Sequence, residues 1–244
     1  MNKERTALLK KLGPGVIIQH LSQMITEDRM ERFRATVEQR ITNFTVVVER
    51  LFDPVNGSAV LRSCEAFGIL NVHFVVPDES YRLSKKVTIG AERWLNVFVH
   101  KSTREAYDTL EQDGYIQWAT LPPFEGWDGD QPDGPPGVPL REVPLSPRMA
   151  LWMGNERLGL TSEAKQLIRN SFTIPMYGLS QSLNLSVSTA VCLENFVYRY
   201  KKSGGVIPLA QKDQEQLLAR YLLEDCRTPE AVLRVCLARE GVVI

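Results

Sequence analysis

The stretch from Ile174 to Ala190, IPMYGLSQSLNLSVSTA, constrains the fold of this chain more than any other. A β-compatible run, Ser171 to Ile174, stops at Pro175. A Gly–Leu–Ser–Gln–Ser loop then leads to Asn184 and Ser186, residue types that cap the orphan N–H groups at a helix start. Beyond them Val187, Ser188, Thr189, Ala190 and Val191 are small or β-branched, which suits a helix packed closely between other elements. The order predicts strand, ligand-facing turn and tightly packed helix. On the turn residues alone, an ordinary polar connection between elements is the simpler reading.

The rest of the chain alternates in the same manner. Strands are predicted at Thr45–Phe52, Val72–Val76, Asn96–His100, 115–121 and Met149–Met153. Helices are predicted from Asn56 to Gly68 with Asn56 as the cap, over 103–113, from Thr161 to Asn170 and from Leu185 to Lys202. Strand–helix alternation argues for an α/β fold with a mainly parallel sheet and helices on both faces. Residues 1–43 and 204–244 read as helical extensions around a domain spanning 44–203. Pro122 to Pro147 is rich in Pro, Gly and acids, and no regular structure is expected there.

With 244 residues, 43% hydrophobic and 24% charged, the chain has an ordinary soluble composition. It shows neither a transmembrane run nor a cleavable leader, so the cytoplasm is the expected compartment. Cys64, Cys192, Cys226 and Cys236 lack metal or disulfide spacing and the histidines do not gather near them; reduced structural thiols and no metal are expected.

Formal charge is zero, but unevenly spread. Residues 80–104 set Arg82, Lys85, Lys86, Arg93, Lys101 and Arg104 against Glu92 alone, whereas 105–133 carry eight acids and no Lys or Arg. That separation fits either a basic face for phosphates or two solvated surfaces. Arg29, Arg32, Arg34 and Arg40 are equally divided between an RNA-facing arm and an exposed helix, because acids alternate with them. His73 reads as a strand histidine satisfied by its neighbours.

Three segments resemble, in order, the signature motifs of the SpoU/TrmH branch of the SPOUT RNA 2′-O-ribose methyltransferases. They are N-GSAVLR-SCEAFG from Asn56, GNERLGL at 154–160 and the IPM…SLN…SVS string at 174–188. The resemblance implies a C-terminal trefoil knot closed near 171–202 and binding of S-adenosylmethionine. It implies methylation of a ribose 2′-hydroxyl of tRNA, guanosine 18 of the D-loop first, by a homodimer. Ribosomal RNA, another tRNA position, or an RNA-binding module without catalysis are the alternatives. A separate N-terminal RNA-binding domain like that typical of the ribosomal branch is not expected. Family members often carry His before the motif-one Asn, where this chain has Val55.

Residue by residue, the resemblance assigns catalytic roles to Asn56, Arg62, Glu156, Ser182 and Asn184. It assigns the cofactor to the backbone around Met153, Gly154, Ile174, Met176 and Leu183. Lys85, Lys86, Arg93, Arg199, Lys201 and Lys202 are the expected RNA contacts. The family model makes Arg62 the general base, but a guanidinium with a pKa above about 12 does not deprotonate in proteins. An RNA phosphate taking the hydroxyl proton, with Arg62 clamping that phosphate, is chemically sounder. A dinucleotide enzyme is disfavoured, since DPVNGS after the first strand lacks GxGxxG.

Overall fold

The computed structural model describes residues 3–51, 53–76, 90–123, 137–155 and 157–242. Lys85, Lys86 and Glu156 lie outside them, as does the stretch 124–136. Contacts divide the chain into two compact units, Met1–Arg40 with Pro208–Ile244, and Ile41–Ile207.

In the larger unit seven parallel strands stand in the order β3-β2-β1-β6-β4-β7-β5. They are β1 (Phe44–Glu49), β2 (Asn71–Val75), β3 (Asn96–His100), β4 (Ile116–Leu121), β5 (Val138–Pro139), β6 (Met149–Met153) and β7 (Asn170–Thr173). The helices here are α3 (Pro54–Ala66), α4 (Thr103–Gln112), α5 (Ser162–Leu167) and α6 (Leu185–Ser203). β1 is buried along its whole length because both faces of the sheet are covered. Phe44, Val46 and Val48 join the core beneath α3 and α6, built on Val60, Cys64, Leu193 and Phe196. Val47 faces the opposite core, with Ala106, Leu110, Trp152 and Ala164.

Several boundaries depart from the sequence expectation for local reasons. β1 ends at Glu49 instead of Phe52 because Arg50 takes a left-handed φ of 49°. Asp53 and Pro54 do more than stop a strand: the Asp53 carboxylate accepts the Val55 N–H and Pro54 occupies the first helical turn, so Asp53 is the cap of α3 and Asn56 lies inside it. α5 is shorter than Thr161–Asn170. Thr161 caps it through the Ala164 N–H, and Ile168 is already extended on the way into β7.

The proline-rich segment also holds order that its composition does not suggest. β5 pairs with β7 through Val138 and Pro139, and Leu140 and Val143 are buried. Gly137 makes this possible, since a Cβ there would lie 2.9 Å from the Phe172 carbonyl carbon.

The smaller unit contains α1 (Lys3–Leu21), bent at Gly13, α2 (Glu27–Glu38), α7 (Gln211–Asp225) and α8 (Pro229–Arg239). α1 packs on α7 and α8, and α2 packs on α7. Arg40 and Arg29 are not a free RNA-facing cluster. Arg40 is fully buried and donates Nε–H to Tyr221 Oη at 2.8 Å, while Arg29 pairs with Asp225 at 2.7 Å. Among the described residues no helix is long and apolar enough to cross a membrane.

Candidate active site

Strand order fixes where the site lies. β1 continues through α3 to β2 on one side, whereas β6 continues through α5 to β7 on the other, so the chain diverges between the carboxyl ends of β1 and β6. Ligands of open α/β sheets bind at such a divergence.

Residues after β7 return toward it. Asn184 caps α6, its Oδ1 accepting the Ser186 N–H at 2.8 Å and the Ser186 hydroxyl at 2.6 Å. Its Nδ2 donates to Asn56 Oδ1 at 3.0 Å, in the first turn of α3 just after β1. The segment 174–184 therefore runs from β7 past the ends of β4 and β6 to β1. Three strand spacings of about 4.8 Å make roughly 14 Å, well within reach of ten residues.

Between those anchors, the backbone of 175–183 makes no hydrogen bond to other backbone among the described residues. Residues 177–183 are exposed, and Ile174 and Met176 are half-buried beside them. Ser182 and Leu183 are exposed. Exposed backbone donors and acceptors next to apolar side chains fit the heterocycle and sugar of S-adenosylmethionine.

The turn after β6 supplies the other wall. Met153 is itself a core residue, its sulfur accepting from Thr120 Oγ1 at 3.2 Å, so only its backbone is offered to a ligand. Gly154 cannot carry a side chain: a Cβ would sit 2.4 Å from Gly159 C and Leu160 N. Asn155 and Gly159 exchange backbone hydrogen bonds at 3.0 and 2.9 Å, closing the turn.

Arg62 projects from α3 into solvent and, among the described residues, pairs with neither Glu65 nor any other group. An exposed guanidinium two turns along a helix that starts at the site is suited to an incoming phosphate. Arg93 is half-buried, its guanidinium carbon 5.1 Å from the Trp94 ring centre. Lys201 and Lys202 are exposed, and the Lys202 ammonium lies 5.8 Å from the Tyr198 ring centre.

Arg199 is used differently from the expectation. Its Nη2 donates to Val143 O at 2.6 Å and its Nη1 to Leu140 O at 3.3 Å, tying α6 to the buried turn after β5. Those carbonyls belong to the segment expected to be irregular, which is why the sequence hid this role.

Glu49 escaped sequence reasoning, and His73, expected as a satisfied strand histidine, has its partner in the next strand. Glu49, buried at the end of β1, accepts from Thr103 Oγ1 at 2.5 Å, Thr161 Oγ1 at 2.7 Å and Thr161 N at 2.8 Å. His73 Nδ1 and His100 Nε2 lie 2.9 Å apart and share one proton; burial and the neighbouring His100 push His73 down to about 4. The only sequence signal was an acid in an otherwise apolar strand. Cys64 and Cys192 are buried free thiols, Cys192 pushed up to about 12 by burial. Among the described residues no His, Cys, Asp or Glu cluster could hold a metal.

Residues 43–194 match the family model described as the SpoU rRNA Methylase family. The tRNA (guanosine(18)-2′-O)-methyltransferase of Borreliella burgdorferi is 29% identical over 88% of this chain and 90% of its own length. The enzyme of the same name from Thermus thermophilus is 33% identical over 69% of this chain and 81% of its own. The crystal structure of a TrmH/SpoU tRNA modifying enzyme from A. aeolicus superposes with a TM-score of 0.68 at 24% identity, covering 82% of this chain and 97% of that one. With the motifs gathered at one end of a parallel sheet, these likenesses place the chain in a family: it belongs to the SpoU methylase family.

Proposed function

We propose that this chain transfers a methyl group from S-adenosylmethionine to a ribose 2′-hydroxyl of tRNA, at guanosine 18 of the D-loop. The observation that carries this reading is the hydrogen bond from Asn184 to Asn56, which joins the first and third motifs beside the turn of the second. The names of the Borreliella and Thermus relatives support the choice of tRNA position.

The backbone of Gly154, Ile174, Met176 and Leu183 would hold the cofactor, which when bound supplies an electrophilic methyl carbon. The chain's own residues handle the nucleophile. Asn56 and Asn184 orient the hydroxyl, with Ser182 and Glu156 as further contacts to nucleotide and hydroxyl. Arg62 stays charged, clamps an RNA phosphate and stabilises the developing alkoxide, while the phosphate takes the proton. Holding the reactants in register supplies much of the rate. Arg93, Lys201 and Lys202, together with Lys85 and Lys86, contact backbone phosphates, which position the RNA without reading its sequence.

The path of 174–184 past β4 and β6 supports a trefoil knot closing near 171–202, and terminal extensions flanking a 44–203 methyltransferase domain remain part of this reading. The enzyme works in the cytoplasm as a homodimer. Val187 and Val191, exposed at 48% and 38% one turn apart on α6, support a second copy of the chain as the partner of that face. The test is Arg62→Ala. Turnover is abolished while calorimetric binding of S-adenosylmethionine is retained; near-normal methylation by that variant contradicts the role of Arg62.

A further inference from the structure

Consecutive residues at the end of β1 grip both ends of the turn after β6. At its start, Asn155 Nδ2 donates to the Arg50 carbonyl at 2.7 Å, and the same side chain accepts the Arg157 N–H at 2.7 Å and the Leu158 N–H at 3.1 Å. At its end, Thr161 gives both its N–H and its hydroxyl to the Glu49 carboxylate. One carboxamide thus spans a strand end and the inside of a turn, with donor and acceptor both spent.

Arg50 is the only described non-glycine residue with a positive φ, at 49°, a conformation that L side chains avoid. Its N–H is fixed to Val75 O at 3.0 Å, so both peptide groups of Arg50 are tied: one to β2, the other to Asn155. A strained residue is kept where a relaxed glycine would serve only if its surroundings hold it, and such outliers gather at functional sites. The turn beneath is so tight that position 154 tolerates no Cβ. The β1–β6 pairing and the Glu49–Thr161 contacts fix its flanks, and the strut to Arg50 fixes its start against the end of β1.

We propose that Asn155 is a positioning residue for methyl transfer, a strut that sets the Gly154–Leu160 turn against the end of β1, where α3 carries Asn56. This rests on the proposed function, because the turn must face cofactor and substrate for its placement to matter. Asn155 touches neither reacting atom. It acts through the turn it holds.

Asn155→Asp separates the two halves of the role. The retained oxygen still accepts from Arg157 and Leu158, but the Nδ2 donor becomes a second oxygen opposite the Arg50 carbonyl. Thermal unfolding, tRNA binding by gel shift, and kcat for methyl transfer from labelled S-adenosylmethionine are read on wild type and variant. The expected result is a folded variant with tRNA affinity within about twofold of wild type and kcat lower by about 100-fold, the scale of an ångström of misplacement. A kcat within twofold of wild type overturns the inference. So does a loss of kcat that merely follows the loss of folded protein. If the aspartate variant does not fold, Asn155→Ser, whose hydroxyl still accepts from the turn but falls short of Arg50, is read by the same criteria. Wild-type turnover separates the two claims: its absence strikes the proposed function, and an active wild type with an unaffected variant strikes the strut alone.

Discussion

Asn184 performs two tasks with one carboxamide, and they can be separated. Its oxygen caps α6 and its nitrogen holds Asn56. Serine is an equally good cap but too short to reach Asn56. Asn184→Ser is therefore expected to keep the thermal midpoint near wild type while kcat/KM falls on the order of 100-fold. Asn184→Ala should lose activity similarly and also cost about 1 kcal/mol of stability, read as a lower unfolding midpoint in denaturant. Equal stability of the two variants would mean that the cap carries no weight. Asn184 was legible from its place before a run of small residues, and its role as a cap needed only local chemistry. Its partnership with Asn56, 128 residues away, was not written in either segment; strand order had to bring them together.

At the scale of elements, buried polar groups fasten helix starts and strand edges to the sheet. Glu49 anchors the start of α4 through Thr103 and the cap of α5 through Thr161. Thr161→Val removes a hydrogen bond to a carboxylate and the cap together, a loss of about 2 kcal/mol, measurable by urea unfolding. On the other flank His73 and His100 bind β2 to β3, with Phe98 stacked on His73 at 4.7 Å and Glu105 facing His100. His73 titrates at about 4 in the fold and near 6.5 unfolded, so the unfolded state binds more protons between those values. Stability is then full above about pH 6.5 and falls as pH drops toward 4, by roughly 1.4 kcal/mol per unit for one such group. His73→Gln should flatten the decline in urea midpoint between pH 7 and 5; an unchanged slope would remove His73 from the account. Strands such as Asn96–His100 and Met149–Met153 were legible because β-branched and apolar runs end at turn residues. The cap of α3 was misplaced because Asp53–Pro54 both ends one element and begins the next. Order around Val138–Val143 was hidden by proline content, although Gly137 alone permits its approach to Phe172.

At the scale of the molecule, the sheet order brings the three motifs to one end of the sheet, and in the proposed homodimer a second copy covers the exposed stripe on α6. If the proposed dimer uses that stripe, wild type sediments as a dimer at micromolar concentration and Val191→Glu as a monomer; a monomeric wild type contradicts the dimer, and an unchanged dimer puts the interface elsewhere. The alternation of strand and helix made the fold class legible, and motif order made the family legible. The internal commitments of Arg40 and Arg199 were not, since a basic residue reads alike whether it meets phosphate or an oxygen of its own chain. The central claim is tested most directly by methyl transfer from labelled S-adenosylmethionine to an unmodified tRNA transcript, with the product nucleotide mapped by digestion and mass spectrometry. The account predicts 2′-O-methylguanosine at position 18. Bound cofactor with no transfer to tRNA would contradict it.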